Sequence, residues 1–255
     1  MDAMTGPLVE MERDGHVLIV ALRREEKRNA VNRDLALALD EALNTLDDDD
    51  ALWVGVLTGT PLVFSAGSDM AARGDYNTDR GGEYGIIRRR RRKPLIAAVE
   101  GFALGGGMEI ALACDLVVAA RNAVFGLPEV RRGLVPTSAG LFRAPQSLPL
   151  NLARELILLG DPIGADRAHA AGFVNLLAEP GEALGAARAM AERICLNGPL
   201  AVQGCLAAIN GQLAVHDEAG WAATQVAKDA IFGSQDTEEG MKAFFERRAP
   251  NWTGR

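Results

Sequence analysis

Residues 92–120 read RKPLIAAVEGFALGGGMEIALACDLVVAA, and the fold is decided by how this stretch is parsed. Leu95 to Val99, directly after Pro94, is a five-residue apolar run of strand length, and Leu116 to Ala119 is a second short run. Between them the triplet Gly105-Gly106-Gly107 turns the chain into a helical pattern that begins near Met108 and continues through Ile110 to Ala113. A strand, a crossover helix and a strand in this order predict parallel pairing and a right-handed β-α-β unit, hence an α/β fold.

Working toward the N-terminus, Val17 to Leu22 (VLIVAL) follows the turn signal Asp14-Gly15 and is expected to be a buried strand with a hairpin partner at Leu8 to Glu12. Leu52 to Thr58 is a further strand. Asn32 is placed to cap a helix whose apolar positions Leu35, Leu39, Leu43 and Leu46 recur at helical spacing, and the acidic run Asp47 to Asp50 is expected to be its solvated exit. A long loop through Gly82 then leads to the basic run Arg88 to Lys93, expected as a solvated face of a short helix. Toward the C-terminus the pattern turns helical, with helices expected near 148–159, 165–171, 183–196, 199–213, 218–232 and 237–247. A core over 1–195 followed by a helical region over 196–255 is the expected division.

The 255 residues are enough for a large core without staples, and 48% hydrophobic with 24% charged residues is the balance of a folding chain. With 27 Lys plus Arg against 34 Asp plus Glu, the net charge of −7 disfavours nucleic acid and anionic membrane as partners. The scattered Cys114, Cys195 and Cys205 suggest reduced thiols, no apolar run reaches membrane-spanning length, and a cytoplasmic location is expected. His16, His169 and His216 are isolated, with no metal-ligand spacing, nucleophile elbow or phosphate-cradling lysine loop around them, so no metal site is expected.

Three features are able to carry chemistry. The glycine triplet sits between a strand and a helix, where free N–H groups face any negative oxygen, although a tight structural turn is an equally simple reading. It lacks the spacing of a dinucleotide fingerprint, which disfavours a nicotinamide or phosphate site. Phe64-Ser65-Ala66-Gly67-Ser68-Asp69-Met70 follows another strand with small residues that leave amides accessible. Two such loops on one parallel sheet can offer one N–H each to a single carbonyl oxygen, the arrangement of an oxyanion hole. Finally, Glu109 and Glu129 both lie among apolar residues; they are either functional carboxylates or structural caps paired with Arg131 or Arg132.

Taken together, KRNAVN (27–32), FSAGSDM (64–70), residues 92–120, FGLPEVRRGLVP (125–136) and EGMKAFFERRAPNW (239–252) resemble the crotonase superfamily, the enoyl-CoA hydratase/isomerase family, over nearly the whole chain. The resemblance implies a spiral of repeated β-β-α units with a helical C-terminal region that forms homotrimers, often paired as hexamers. It implies oxyanion donors at the backbone N–H groups of Ser68 and Gly106 and catalytic roles for Glu109 and Glu129. Coenzyme A contacts fall by the same resemblance around Ala66, Asp69 and Met70, with Lys27 and Arg28 facing its phosphates and Arg247 at a C-terminal basic position that contacts coenzyme A from the same or a neighbouring subunit. No cofactor is implied beyond the coenzyme A of an acyl-CoA thioester substrate.

The reaction implied is reversible syn hydration of a 2-enoyl-CoA to a 3-hydroxyacyl-CoA. An isomerase, a specialised dehydratase similar to carnitinyl-CoA members, to which the ending RAPNWTGR is also similar, and a catalytically silent acyl-CoA-binding protein are the alternatives. The chain departs from the family's hydratases in having VPTSAGL at 135–141 in place of a glycine-rich segment and Ala71 in place of a lysine. The segment from Arg73 to Tyr84 is implied to line the acyl end.

Overall fold

A computed structural model describes residues 6–72 and 76–255. The first part of the acyl-end segment, 73–75, therefore lies outside the described residues. Strands β1 (Val9–Asp14), β2 (Val17–Leu22) and β3 (Val54–Thr58) enter one sheet, with helix α1 (Arg33–Asp48) between the last two. Two-residue strands β4 (Asn77–Thr78) and β5 (Gly82–Glu83) form a small hairpin before β6 (Leu95–Val99). Then come β7 (Phe102–Leu104), α2 (Gly106–Leu112), β8 (Leu116–Ala120), β9 (Val124–Gly126), α3 (Gly140–Ser147), α4 (Leu150–Leu159), β10 (Ile163–Gly164), α5 (Ala165–Ala170), β11 (Leu176–Ala178) and α6 (Ala183–Cys195). Helices α7 (Pro199–Ile231) and α8 (Gln235–Glu246) complete the chain.

The main sheet has the order β1-β2-β3-β6-β8-β11, antiparallel only at the β1–β2 hairpin. Its inner strands β2, β3, β6 and β8 read as unbroken apolar runs because both faces are covered, whereas the edge strand β1 is charged and exposed. In β2, Leu18 and Val20 face the large core with Leu35, Leu39, Leu43 and Leu46 of α1, while Val17 and Ile19 face Ala187 and Ala191 of α6. In β6, Leu95, Ala97 and Val99 join the first group, and Ile96 and Ala98 the second.

Strands β2, β3, β6 and β8 are each followed by a short excursion into a second layer. There β7 pairs with β9 in parallel, and isolated parallel bridges Val31–Ser68 and Ser65–Ala103 extend the same ladder toward α1. Main strand, second-layer strand and helix therefore recur as a β-β-α spiral. The consequence for function is direct: the Ser65–Ser68 loop and the glycine triplet, forty residues apart in sequence, become neighbours in this second layer.

Four expectations need correction. No basic helix precedes Pro94; residues 84–88 form turns and 89–94 are irregular. Nor is that run a solvated face: Arg89 donates to Asp40, Asn44 and Asp47, and Arg91 donates to Asp115 at 2.5 and 3.0 Å. The acidic run is likewise not a simple solvated exit, because Asp47 is buried against Arg89 and the buried Lys93 ammonium donates to the Leu46 and Asp49 carbonyls at the end of α1. Finally, the two helices expected over 199–232 are one, α7, since nothing between Leu213 and Glu218 breaks a helix. Gly220 within it lets α7 press on Phe142 of α3, and Trp221 packs edge-on to that ring beneath Arg88.

The helix at 140–147 went unrecognised because Gly140 and Pro145 weaken its pattern. Along α7 only Thr224 is buried, and Leu200, Ile209, Val226 and Phe232 are exposed. Among the described residues no single helix is long and apolar enough to cross a membrane.

Candidate active site

The glycine triplet is shaped by three different close approaches. At Gly105, in left-handed backbone, a methyl group would stand 3.0 Å from Glu129 Oε1; at Gly106 it would stand 2.6 Å from the Tyr84 hydroxyl; at Gly107 it would collide with the Ser65 carbonyl. Any side chain here would displace a carboxylate, a phenol or a strand, so this is more than a turn.

Asn29 assembles the facing loop. Its buried side-chain amide donates to the Val63 and Phe64 carbonyls and accepts from the Arg24 N–H, while Ser65 Oγ donates to the Asn29 carbonyl. The two loops then touch: a methyl group at Gly67 would lie 2.6 Å from the Gly106 nitrogen. Val31 bonds to Gly67 and Asp69 on either side of Ser68, leaving the Ser68 N–H turned away from that bridge. Among the described residues neither the Ser68 N–H nor the Gly106 N–H donates to a protein acceptor.

Glu109 lies in the first turn of α2, 2% exposed. Its Oε1 accepts from the Ser138 and Gly140 N–H groups at 2.7 and 2.9 Å. Those two amides converge because Ala139 between them is held at φ 77°, the left-handed backbone that builds an anion-binding nest. Glu129 opens a 3-10 turn, Glu129–Arg132, and its Oε2 is buried without a hydrogen-bond partner. Burial first and the Glu129 charge second push the Glu109 carboxyl well above the usual carboxylate range, against the two amides. Burial likewise pushes Glu129 up, against its own backbone N–H and Arg132. Both carboxyls are thus held above the usual range by burial, and Glu109 also by the neighbouring acid.

The pairing of either acid with Arg131 is absent, since Arg131 bonds to Asp161 and Leu159. Arg132 lies over the Phe244 ring, 4.6 Å from its centroid, close enough to lower the Glu129 pKa without a salt bridge. A cleft of about 390 Å³ between this turn and α8 is lined by Pro128, Arg132, Phe244 and Arg248. It includes none of Ser68, Gly106, Glu109 or Glu129, so it is a separate feature.

The remaining residues are dispersed. Lys27 and Arg28 are exposed, and the Arg28 carbonyl accepts from the Ala66 N–H at 3.0 Å, which joins this basic loop to Ala66. The Asp69 carboxylate already takes Arg24 at 2.8 Å and the Ala71 N–H at 3.1 Å. Met70 is half-buried beside it. Arg247 caps α8, exposed, and no hydrogen bond or ion pair joins it to the Lys27–Arg28 loop among the described residues. Two of the three histidines have structural roles: His16 stacks on Trp53 and His169 bonds the Val174 carbonyl.

Sequence reasoning missed Tyr84, Ser138 and Gly140. The Ser138–Gly140 pair left a trace as small residues after the second glutamate, and Tyr84 only as the last residue of the segment implied to line the acyl end.

A family model described as enoyl-CoA hydratase/isomerase matches residues 12–255. The short-chain-enoyl-CoA hydratase of Clostridium acetobutylicum is 36% identical over 248 residues, covering 94% of this chain and 95% of that protein. A crotonyl-CoA hydratase of Syntrophomonas wolfei is 34% identical over 250 residues, covering 95% and 96%. Among solved structures, a carnitinyl-CoA dehydratase from Mycobacterium avium 104 superposes with a TM-score of 0.90 at 41% identity, covering 98% of this chain and all of that one.

Proposed function

The chain belongs to the enoyl-CoA hydratase/isomerase family, and on that premise we propose that it hydrates a 2-enoyl-CoA thioester reversibly to the 3-hydroxyacyl-CoA. One observation carries this reading: buried Glu109 and half-buried Glu129, neither in a salt bridge and Glu129 with a buried unpartnered Oε2, flank a glycine loop whose amide is free beside a second free amide. A buried acid pair is costly unless its protons are used.

In the hydration direction the thioester oxygen takes the Ser68 and Gly106 N–H groups. Glu109, gripped by two amides on Oε1, acts in its ionised form and removes a proton from water through its other oxygen. The water oxygen bonds to C3, the C2–C3 π electrons move toward the carbonyl, and charge develops on the oxygen held by the amides. Glu129 then gives its proton to C2, on the face from which water came. Removing one donor of this kind costs about 3 kcal/mol of transition-state stabilisation.

Coenzyme A is carried by the substrate, and no other cofactor enters this reading. Lys27 and Arg28 supply positive charge for its phosphates, the Ala66–Met70 backbone receives the adenine, and Arg247 contributes from α8. Because the Asp69 carboxylate is already spent on Arg24, Asp69 acts here by shaping the loop. The exposed apolar residues of α7 support a homotrimer or a pair of trimers with 196–255 as the assembling region, in the cytoplasm.

Crotonyl-CoA in oxygen-18 water tests the reaction. Loss of enoyl absorbance with label at C3 is expected; solvent hydrogen exchange without label marks an isomerase, and binding without either marks a silent protein. A panel of acyl-CoA thioesters, including a carnitinyl one, then identifies the acyl group.

A further inference from the structure

Tyr84 enters the site from the segment after β5, and no feature of the reaction described above uses it. Its side chain is buried, its hydroxyl lies 2.7 Å from Ser68 Oγ, and the same hydroxyl crowds the α-carbon face of Gly106. One phenol thus touches both residues whose amides face the thioester oxygen. It also senses the charges of Glu109 and Glu129 and interacts with the Ser138 side chain, whose backbone N–H holds Glu109.

The placement is maintained at some cost. Tyr84 sits at φ 58°, a left-handed backbone that an aromatic residue adopts with strain. Its N–H donates to the Tyr76 carbonyl, and Gly85 next to it packs so closely on α1, at the Ala36 carbonyl and Asp40, that no side chain fits there. The Tyr76 ring leans on Tyr84, and the Tyr76 hydroxyl donates to the Asp69 carbonyl. The segment is therefore anchored on the helix behind it and on the loop carrying Ser68.

We infer that Tyr84 is a positioning residue: its hydroxyl holds the Ser68 loop and the Gly106 turn at the spacing that lets both amides reach one oxygen, and links that pair to the cradle of Glu109. This rests on the acyl-CoA reading above. The Ser68 side chain makes this contact, either hydroxyl donating, while its backbone N–H faces the substrate.

The test compares the wild-type protein with Tyr84→Phe, which keeps the ring and removes the oxygen. The probe is cinnamoyl-CoA, whose conjugated thioester absorbs at longer wavelength as its carbonyl is polarised. Wild type is expected to hydrate crotonyl-CoA and to shift the probe band to the red on binding. Tyr84→Phe is expected to bind the probe with a smaller shift and to lose about tenfold in kcat with KM nearly unchanged, less than deletion of a direct donor. Ser68→Ala should reproduce both effects, and the double variant should lose little more, since both remove one contact. A Tyr84→Phe protein with full red shift and wild-type kcat overturns the inference and leaves the phenol as packing only. A wild-type protein that neither hydrates nor shifts the probe overturns the acyl-CoA reading and this inference together. Should Tyr84→Ala fail to fold, the Phe comparison still decides.

Discussion

Two groups of buried charge lie in this molecule, and they are treated in opposite ways. Behind the main sheet, Arg89 spans Asp40 and Asp47, and Arg91 spans Asp115, in ion pairs with almost no exposed guanidinium surface. In the second layer, Glu109 is buried beside the half-buried Glu129, whose Oε2, like Asp47 Oδ1 in the first group, has no hydrogen-bond partner. Burial of charge is common to both. The sign of the neighbouring charge separates them: Arg89 ties the chain entering β6 to α1 and Arg91 ties it to Asp115 ahead of β8, whereas the neighbour of Glu109 is another acid, which with burial pushes its pKa up.

The contrast is broken most severely at the acids. Glu109→Gln or Glu129→Gln should lower kcat by about three orders of magnitude, the middle of the range for a positioned acid or base, while acyl-CoA binding persists. Steady-state hydration of crotonyl-CoA beside equilibrium binding of a saturated acyl-CoA checks this; wild-type turnover in either variant would put these acids in the same class as the arginine ties.

Arg89→Ala should instead cost about 3–5 kcal/mol of folding stability, because it leaves Asp40 and Asp47 facing one another without their cation. Denaturant unfolding measures the loss. Activity per folded molecule should stay near wild type, and a selective loss of kcat at unchanged stability would erase the distinction.

Stability against pH sharpens the same point. Both glutamates have folded pKa values raised above the ordinary 4.5. Between the unfolded and folded values the native state binds more protons than the unfolded one, so stability falls as pH rises through that window and the penalty is complete above it. Glu109→Gln escapes part of this penalty. Its stability relative to wild type is expected to grow from pH 5 to pH 8.5, as read from thermal unfolding in a buffer series; a flat difference would mean that the pair is not strained by charge.

The smallest effect belongs to the surface. The Arg167–Glu155 pair is bidentate but exposed, so Arg167→Ala should leave the unfolding midpoint and kcat unmoved within error.

Legibility from sequence followed the same division. Val17 to Leu22 and Leu95 to Val99 were readable as strands because both faces are buried and the code for that is local. The candidate acids were noticeable because charged residues amid apolar neighbours stand out. The basic and acidic runs were read as solvent-facing, since nothing in Arg88 to Lys93 or in Asp47 to Asp50 reveals that one run is folded against the other. The role of Tyr84 was invisible for a related reason: its partners lie 16 and 22 residues away in the chain, at Ser68 and Gly106.

What the chain alone determined was therefore periodicity and small-residue punctuation: where strands and helices form, where backbone amides are exposed, and which carboxylates are out of place. Whether a buried charge meets a partner or another like charge was settled only when the spiral brought distant loops together, because compensation is a property of distances that no linear spacing encodes.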